Sequence, residues 1–143
     1  METTVGKVLV PATVENWSDL HEVSLGLRAP EQVRSVTVAD AIVDTGATML
    51  SLPKRMIESL GLQRVRTRRA RTAAGVFDFG VYSLVRLKVQ GRECPMEVAE
   101  LPDECPVLIG QLPLEHMDWV VDPVGQRLIG NPDHGGEEMI DMF

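Results

Sequence analysis

The sequence predicts an all-β domain, a mostly antiparallel sandwich or partly closed barrel with few helices, and three observations predict it. Apolar residues recur at alternate positions through several segments, the period of a half-buried strand. Segments with helical periodicity are few and short. Gly, Pro and Asp punctuate the chain at the spacing of a many-stranded small domain.

The elements follow in order. Val8 to Val14 is rich in β-branched residues and reads as a strand. Asn16 to Arg28 is ambiguous between loop and a helical turn. Gln32 to Val38 alternates polar and apolar, and Ala41-Ile42-Val43 then runs continuously apolar, as a fully buried strand does. Pro53 to Leu60 predicts a short helix: proline suits the first turn, Met56, Ile57 and Leu60 share a face, and Gly61 stops it. Tyr82 to Val89 alternates again, and Gln90-Gly91 turns the chain into a strand over Glu93–Val98. Gln111 to Met117 predicts a second helix with Pro113 in its first turn. Trp119–Val121 and Arg127–Ile129 flank the turn-like Asp122-Pro123-Val124-Gly125. The division expected is one domain over residues 1–131 and a tail over 132–143 that is either mobile or part of a dimer interface.

Composition bounds the function. A chain of 143 residues is one domain's worth. Lys+Arg 14 against Asp+Glu 21 leaves a net charge of −7, which argues against nucleic acid or an anionic membrane as partner. No apolar run reaches the length of a membrane span, and Met1 to Lys7 lacks the basic and apolar regions of a secretory signal, so a cytoplasmic protein is expected. Cys94 and Cys105 lack paired histidines at ligand spacing, and His21, His116 and His134 are scattered. Two free, buried or half-buried thiols are expected, with no metal and no cofactor. Trp17 and Trp119 are read as core or interface anchors.

The chemistry concentrates in Ala41-Ile42-Val43-Asp44-Thr45-Gly46-Ala47-Thr48. An apolar strand runs straight into a carboxylate, a hydroxyl and a glycine. The strand holds the Asp44 backbone, Gly46 allows a sharp turn that brings backbone N–H groups toward the carboxylate, and Thr45 offers a hydroxyl to anchor the loop. A carboxylate leaving a core strand must be hydrogen-bonded to offset its desolvation.

This segment resembles the active-site motif of the retropepsin-like (retroviral-type) aspartic proteases: apolar residues, then Asp-Thr/Ser-Gly-Ala. A second mark of the family is matched downstream by Val107-Leu108-Ile109-Gly110 and the helix after it, and a flap hairpin is matched in order by Arg66 to Leu87, with Ala73-Ala74-Gly75 at its tip. The resemblance spans residues 33–130. It implies a retropepsin-like acid protease fold, a small closed or partly open β-barrel with one or two short helices. Because the chain carries a single Asp-Thr-Gly, the resemblance implies a homodimer in which two Asp44 carboxylates meet on the axis and activate a water to hydrolyse a peptide bond. It implies catalytic roles for Asp44, Thr45 and Gly46, and substrate contacts from Ala47, Thr48, Ala73, Ala74 and Gly75 to an extended peptide. Thr48 stands where viral members carry an acid or asparagine, the flap tip is poorer in glycine, and the helix between loop and flap is similar to that of bacterial members. The alternative is a non-catalytic dimeric module with the same fold that binds a peptide in the same cleft. Arg64, Arg66, Arg68, Arg69 and Arg71 read either as a solvated strand face or as a cationic flap arm that attracts acidic peptides or nucleic acid, without the interleaved aromatics of a base-stacking surface.

Overall fold

A computed structural model describes residues 7–142. The strands are β1 (Val8–Asn16), β2 (Ser35–Val43), β3 (Leu50–Pro53), β4 (Arg64–Thr72), β5 (Gly75–Val89), β6 (Arg92–Leu101), β7 (Leu108–Ile109), β8 (Trp119–Asp122) and β9 (Arg127–Gly130). The α-helices are α1 (Trp17–Ser24), α2 (Lys54–Ser59) and α3 (Gln111–His116). The first seven strands form one sheet in the order β1-β2-β7-β3-β6-β5-β4. β1 also pairs with the second half of β5, so β1, β2, β7, β3, β6 and β5 close into a ring, and β8–β9 form a separate hairpin.

The alternation in the sequence is the alternation of burial. Val8, Val10, Ala12 and Val14 of β1 face inward, with exposed or half-buried residues between them. Leu50, Leu52, Ile57, Leu60, Leu87, Ile109, Leu114 and Met117 fill the middle of the ring. At roughly 25 cal/mol per Å² of apolar surface removed from water, residues buried this fully are the main favourable term of the fold. The two segments expected as separate strands over Gln32–Val38 and Ala41–Val43 are a single strand, β2. β1 pairs with it along its whole length, and a register shift at Pro11, which has no N–H to give the ladder, absorbs the irregularity.

β5 is also longer than its alternation predicts. It begins at Gly75, and its first half leaves the ring and pairs with β4 through Thr72↔Gly75 to Arg64↔Tyr82. Val76, Phe77 and Asp78 are exposed there, so backbone pairing and not burial holds that half straight. This β4–β5 hairpin, with Ala73-Ala74 as its turn, occupies the expected position of a flap.

α1 is a third helix where one or two were expected. Asn16 caps it by accepting from Asp19 N at 3.0 Å, and the Asn16 amide donates to Leu60 O at 2.7 Å. Asp19 is fully buried and accepts from Arg34 N, Nε and Nη2 at 2.9–3.0 Å, with Arg28 3.3 Å away. The hydrogen bonds from Arg34 hold the Asp19 carboxyl down to about 2, against desolvation that opposes them. A depressed pKa stabilises the fold above the ordinary carboxylate value, and that stabilisation is lost as pH falls from about 4 to about 2. Asp19→Asn is therefore expected to cost about 2 kcal/mol at pH 6, with the gap to wild type closing toward pH 2. Urea denaturation of both proteins at several pH values checks it; a gap that is constant with pH would remove the ion pair as its cause.

The aromatic anchors part company. Trp119 packs against the core, donates to Val89 O at 3.3 Å and carries the Arg92 guanidinium 4.0 Å from its ring centroid. Trp17 is 37% exposed and lines a hollow of about 330 Å³ with Leu20, Arg86 and Cys94, so it is not a core residue. Of the expected tail, Pro132–His134 form a 3-10 turn. His134 Nδ1 lies 2.7 Å from Asp118 Oδ2, which also accepts from Met139 N, and Gly136 O accepts from Arg92 Nη2 at 2.7 Å. Phe143, and the Met1–Gly6 part of the segment examined for a signal, lie outside the described residues.

Candidate active site

The loop after β2 is fastened to the second apolar motif by backbone hydrogen bonds alone. β7 runs parallel to the end of β2, pairing Ile42 with Leu108 and Val43 with Ile109. Ile42 N donates to Val107 O and Asp44 N to Ile109 O, both at 2.9 Å. Immediately after β7, Gly110 N donates to Met49 O at 3.1 Å, Gln111 N to Ala47 O at 2.8 Å and Leu112 N to Thr48 O at 2.9 Å. The first N–H groups of α3, which have no partner within their own helix, are thus satisfied by the carbonyls of residues 47–49. Gly110 is required by the closeness of this contact. A Cβ there would lie 2.6 Å from Met49 O and from the Thr48 carbonyl carbon, and 2.8 Å from Ala47 O.

Asp44 is half-buried at the end of β2. Its Oδ1 accepts from Gly46 N at 3.0 Å, and its carbonyl accepts from Ala47 N at 3.1 Å. Among the described residues no cation pairs with it. Gly46 brings its N–H to the carboxylate as expected, but its φ is not positive, so the tight turn does not call for glycine by backbone conformation. The reason is proximity: a Cβ on Gly46 would sit 3.3 Å from Asp44 Oδ1. Thr45 is exposed, and its hydroxyl bonds to nothing among the described residues.

Between this loop and the β4–β5 hairpin lies a cleft of about 830 Å³. Gly46, Ala47, Thr48, Met49 and Ser51 line one side, the hairpin arms over 68–72 and 77–79 another, and Ala99–Pro102 with Leu108 the rest; Asp44 and Thr45 precede this lining and are not part of it. Ala73, Ala74 and Gly75 are exposed at the hairpin's end and do not line the cleft. Sequence reasoning missed Phe77 and Phe79, which do. Their alternation with Val81 was the available signal, hidden because the exposed half of β5 carries apolar residues on both faces.

The remaining reactive side chains lie elsewhere. Cys94 is buried and Cys105 half-buried, both free, and burial pushes the Cys94 thiol up to about 11, which leaves it protonated near neutrality. Hydrogen bonding between His134 and Asp118 raises the imidazole's pKa and lowers the carboxyl's, as a structural pair at the chain's end does. Among the described residues no cluster of three His, Cys, Asp or Glu side chains is arranged to hold a metal ion, and no helix is long and apolar enough to cross a membrane.

Comparison with curated proteins gives no significant match. A family model described as "gag-polyprotein putative aspartyl protease" matches residues 32–116, a stretch that contains β2 with its Asp-Thr-Gly loop, the whole β4–β5 hairpin, and β7 with α3. With more than half its length inside that match, and with a ring of strands that joins the two apolar motifs, the chain belongs to the retropepsin-like aspartyl proteases.

Proposed function

We propose that the protein is an aspartic endopeptidase that works as a homodimer, with Asp44 of each copy supplying one carboxylate. The observation that carries this reading is the state of Asp44: a carboxylate on a hydrogen-bonded backbone at the edge of the core, bonded to one N–H and, among the described residues, paired with no cation. One carboxylate cannot both take and give a proton in the same step, and this chain has one Asp-Thr-Gly. Two copies brought together on a twofold axis would share a single proton, because two ionised carboxylates a few ångströms apart repel strongly. The ionised partner takes a proton from water, the water attacks the peptide carbonyl, and the protonated partner donates to the developing oxyanion.

In this reading Thr45, exposed and without a hydrogen-bond partner among the described residues, bonds across the axis and locks the two loops. Gly46 holds the carboxylate through its N–H. Ala47 and Thr48 meet the substrate from below, and Ala73, Ala74 and Gly75 close over it when the hairpin moves. The peptide lies extended in the cleft and adds to the hairpin and loop as a strand.

Specific activity is expected to fall as enzyme concentration falls through the dimer dissociation constant, in step with the mass found by light scattering. The pH–rate profile is expected to be a bell on the acidic side of neutral, owned by the carboxylate pair. Cleavage by a protein that stays monomeric throughout would sink the shared site. A dimer that binds peptides but cleaves none between pH 3 and pH 8 would make the protein a peptide-binding module.

A further inference from the structure

The flap hairpin carries five arginines on one strand, and their neighbours divide them. Arg66 is bonded to Glu97 of β6, Arg64 lies 3.5 Å from Glu100, and Arg69 is 3.4 Å from Asp78 across the hairpin. The side chains of Arg68 and Arg71 form no hydrogen bond or ion pair among the described residues.

Strand geometry separates these two. Residues opposite each other in an antiparallel pair share a face, and neighbours along a strand alternate. Arg66↔Val81, Arg68↔Phe79 and Ala70↔Phe77 therefore lie on one face of the hairpin. Val81 is buried, and Phe79 and Ala70 are half-buried, so this is the face turned toward the body of the protein, and Arg68, Ala70, Phe77 and Phe79 on it line the cleft. Val76, Asp78, Arg69 and Arg71 belong to the other, exposed face, of which Asp78, Arg69 and Arg71 also line the cleft. Among the described residues Arg68 and Arg71 are thus the arginines that line the cleft without a carboxylate, and of the two only Arg68 shares its face of the hairpin with Phe77 and Phe79, in a chain whose net charge is −7. The acids that line the cleft, Asp78 and Glu100, already have Arg69 and Arg64 opposite them.

We infer that Arg68 is a specificity-determining residue that takes an acidic side chain of an extended peptide lying beneath the flap. The inference deepens the peptidase reading and rests on its cleft. A guanidinium offers a carboxylate two parallel N–H donors. The two flanking phenyl rings exclude water as the flap lies on the peptide, which strengthens the pair beyond the small value of an exposed one. The remaining acids of the protein repel acidic chains elsewhere, so the attraction is local to the cleft.

The test uses fluorogenic octapeptides with Glu, Gln or Lys scanned through each position. It is run on the wild type, on Arg68→Glu, and on Lys88→Glu, which makes the same charge change at an exposed site of β5 outside the cleft. The same peptides are titrated against Asp44→Asn by fluorescence anisotropy. At one position Glu is expected to exceed Lys by about tenfold in kcat/KM at low salt. Arg68→Glu should invert that order, Lys88→Glu should keep it, and added salt should weaken it. Cleavage indifferent to charge, or an order unchanged in Arg68→Glu, overturns the inference and leaves the peptidase standing. If nothing is cleaved but Asp44→Asn binds the Glu peptides through Arg68, the inference holds for a binding protein and the peptidase reading falls. If no peptide is cleaved or bound, both fall.

Discussion

Asp44→Asn is expected to lower peptide cleavage by at least about 10³-fold while leaving the fold intact. The amide is isosteric with the carboxylate. Its oxygen still accepts from Gly46 N, so the bond seen at 3.0 Å survives. The Asp44 N–H to Ile109 O bond and the Ala47 N–H to Asp44 O bond use only backbone and are untouched. What disappears is the capacity to take a proton from water and to return one. The same substitution makes a second statement, about the dimer. If two carboxylates face each other across the axis, neutral amides remove their repulsion, so the variant should associate as tightly as the wild type or more tightly near pH 7, and the difference should vanish at low pH. Steady-state kinetics and light scattering at pH 4 and pH 7 measure both. Undiminished cleavage would take Asp44 out of the chemistry.

Gly110→Ala is expected to destabilise the protein by about 3 to 5 kcal/mol and to abolish cleavage with it. Its φ of −84° is open to any residue, so the backbone conformation carries no penalty. The penalty is contact. The atoms a methyl group would meet at 2.6–2.8 Å all belong to the backbone of residues 47–49, which cannot rotate aside as a side chain can. The methyl must push the loop off α3, stretching three hydrogen bonds worth about 1 kcal/mol each, and must disturb Leu50, Ile109 and Leu114 in the core. Gly46→Ala is the comparison. Its methyl would meet only the Asp44 carboxylate, at 3.3 Å, so it is expected to stay folded while shifting the carboxylate. Urea midpoints of the two variants test the difference; equal stability would mean that the junction of the two motifs yields easily.

Much of this was legible in the chain. The alternation in Val8–Val14 and Tyr82–Val89, the proline-started helix before Gly61, and the order of Asp-Thr-Gly, hairpin and Val-Leu-Ile-Gly all correspond to elements of the fold. Period-2 burial writes itself into any strand that has one face on the core. Where a strand has no such face, the signal disappears. β4 is exposed along nearly its whole length, and the first half of β5 is straight only because β4 lies beside it. α1 was obscured for a different reason: it depends on an aspartate that sequence patterns score as surface and that the fold buries against Arg34.

The residues near Asp44 could be named from the order of side chains, because a carboxylate that follows a run of β-branched residues has few places to go. Which two of five arginines are left without a partner could not, since Glu97 and Glu100 reach β4 from β6, and Asp78 meets Arg69 across the hairpin, only once the strands pair. The same holds for Gly110, whose need for a bare Cα comes from a loop about sixty residues earlier in the chain. Sequence by itself determined the fold class, the family's two motifs and the candidate carboxylate, since each is a local pattern of polarity and size. Tertiary structure decided the closure of the ring, the fit of one motif against the other and the charge left facing the cleft, because those are contacts between segments that no local pattern encodes.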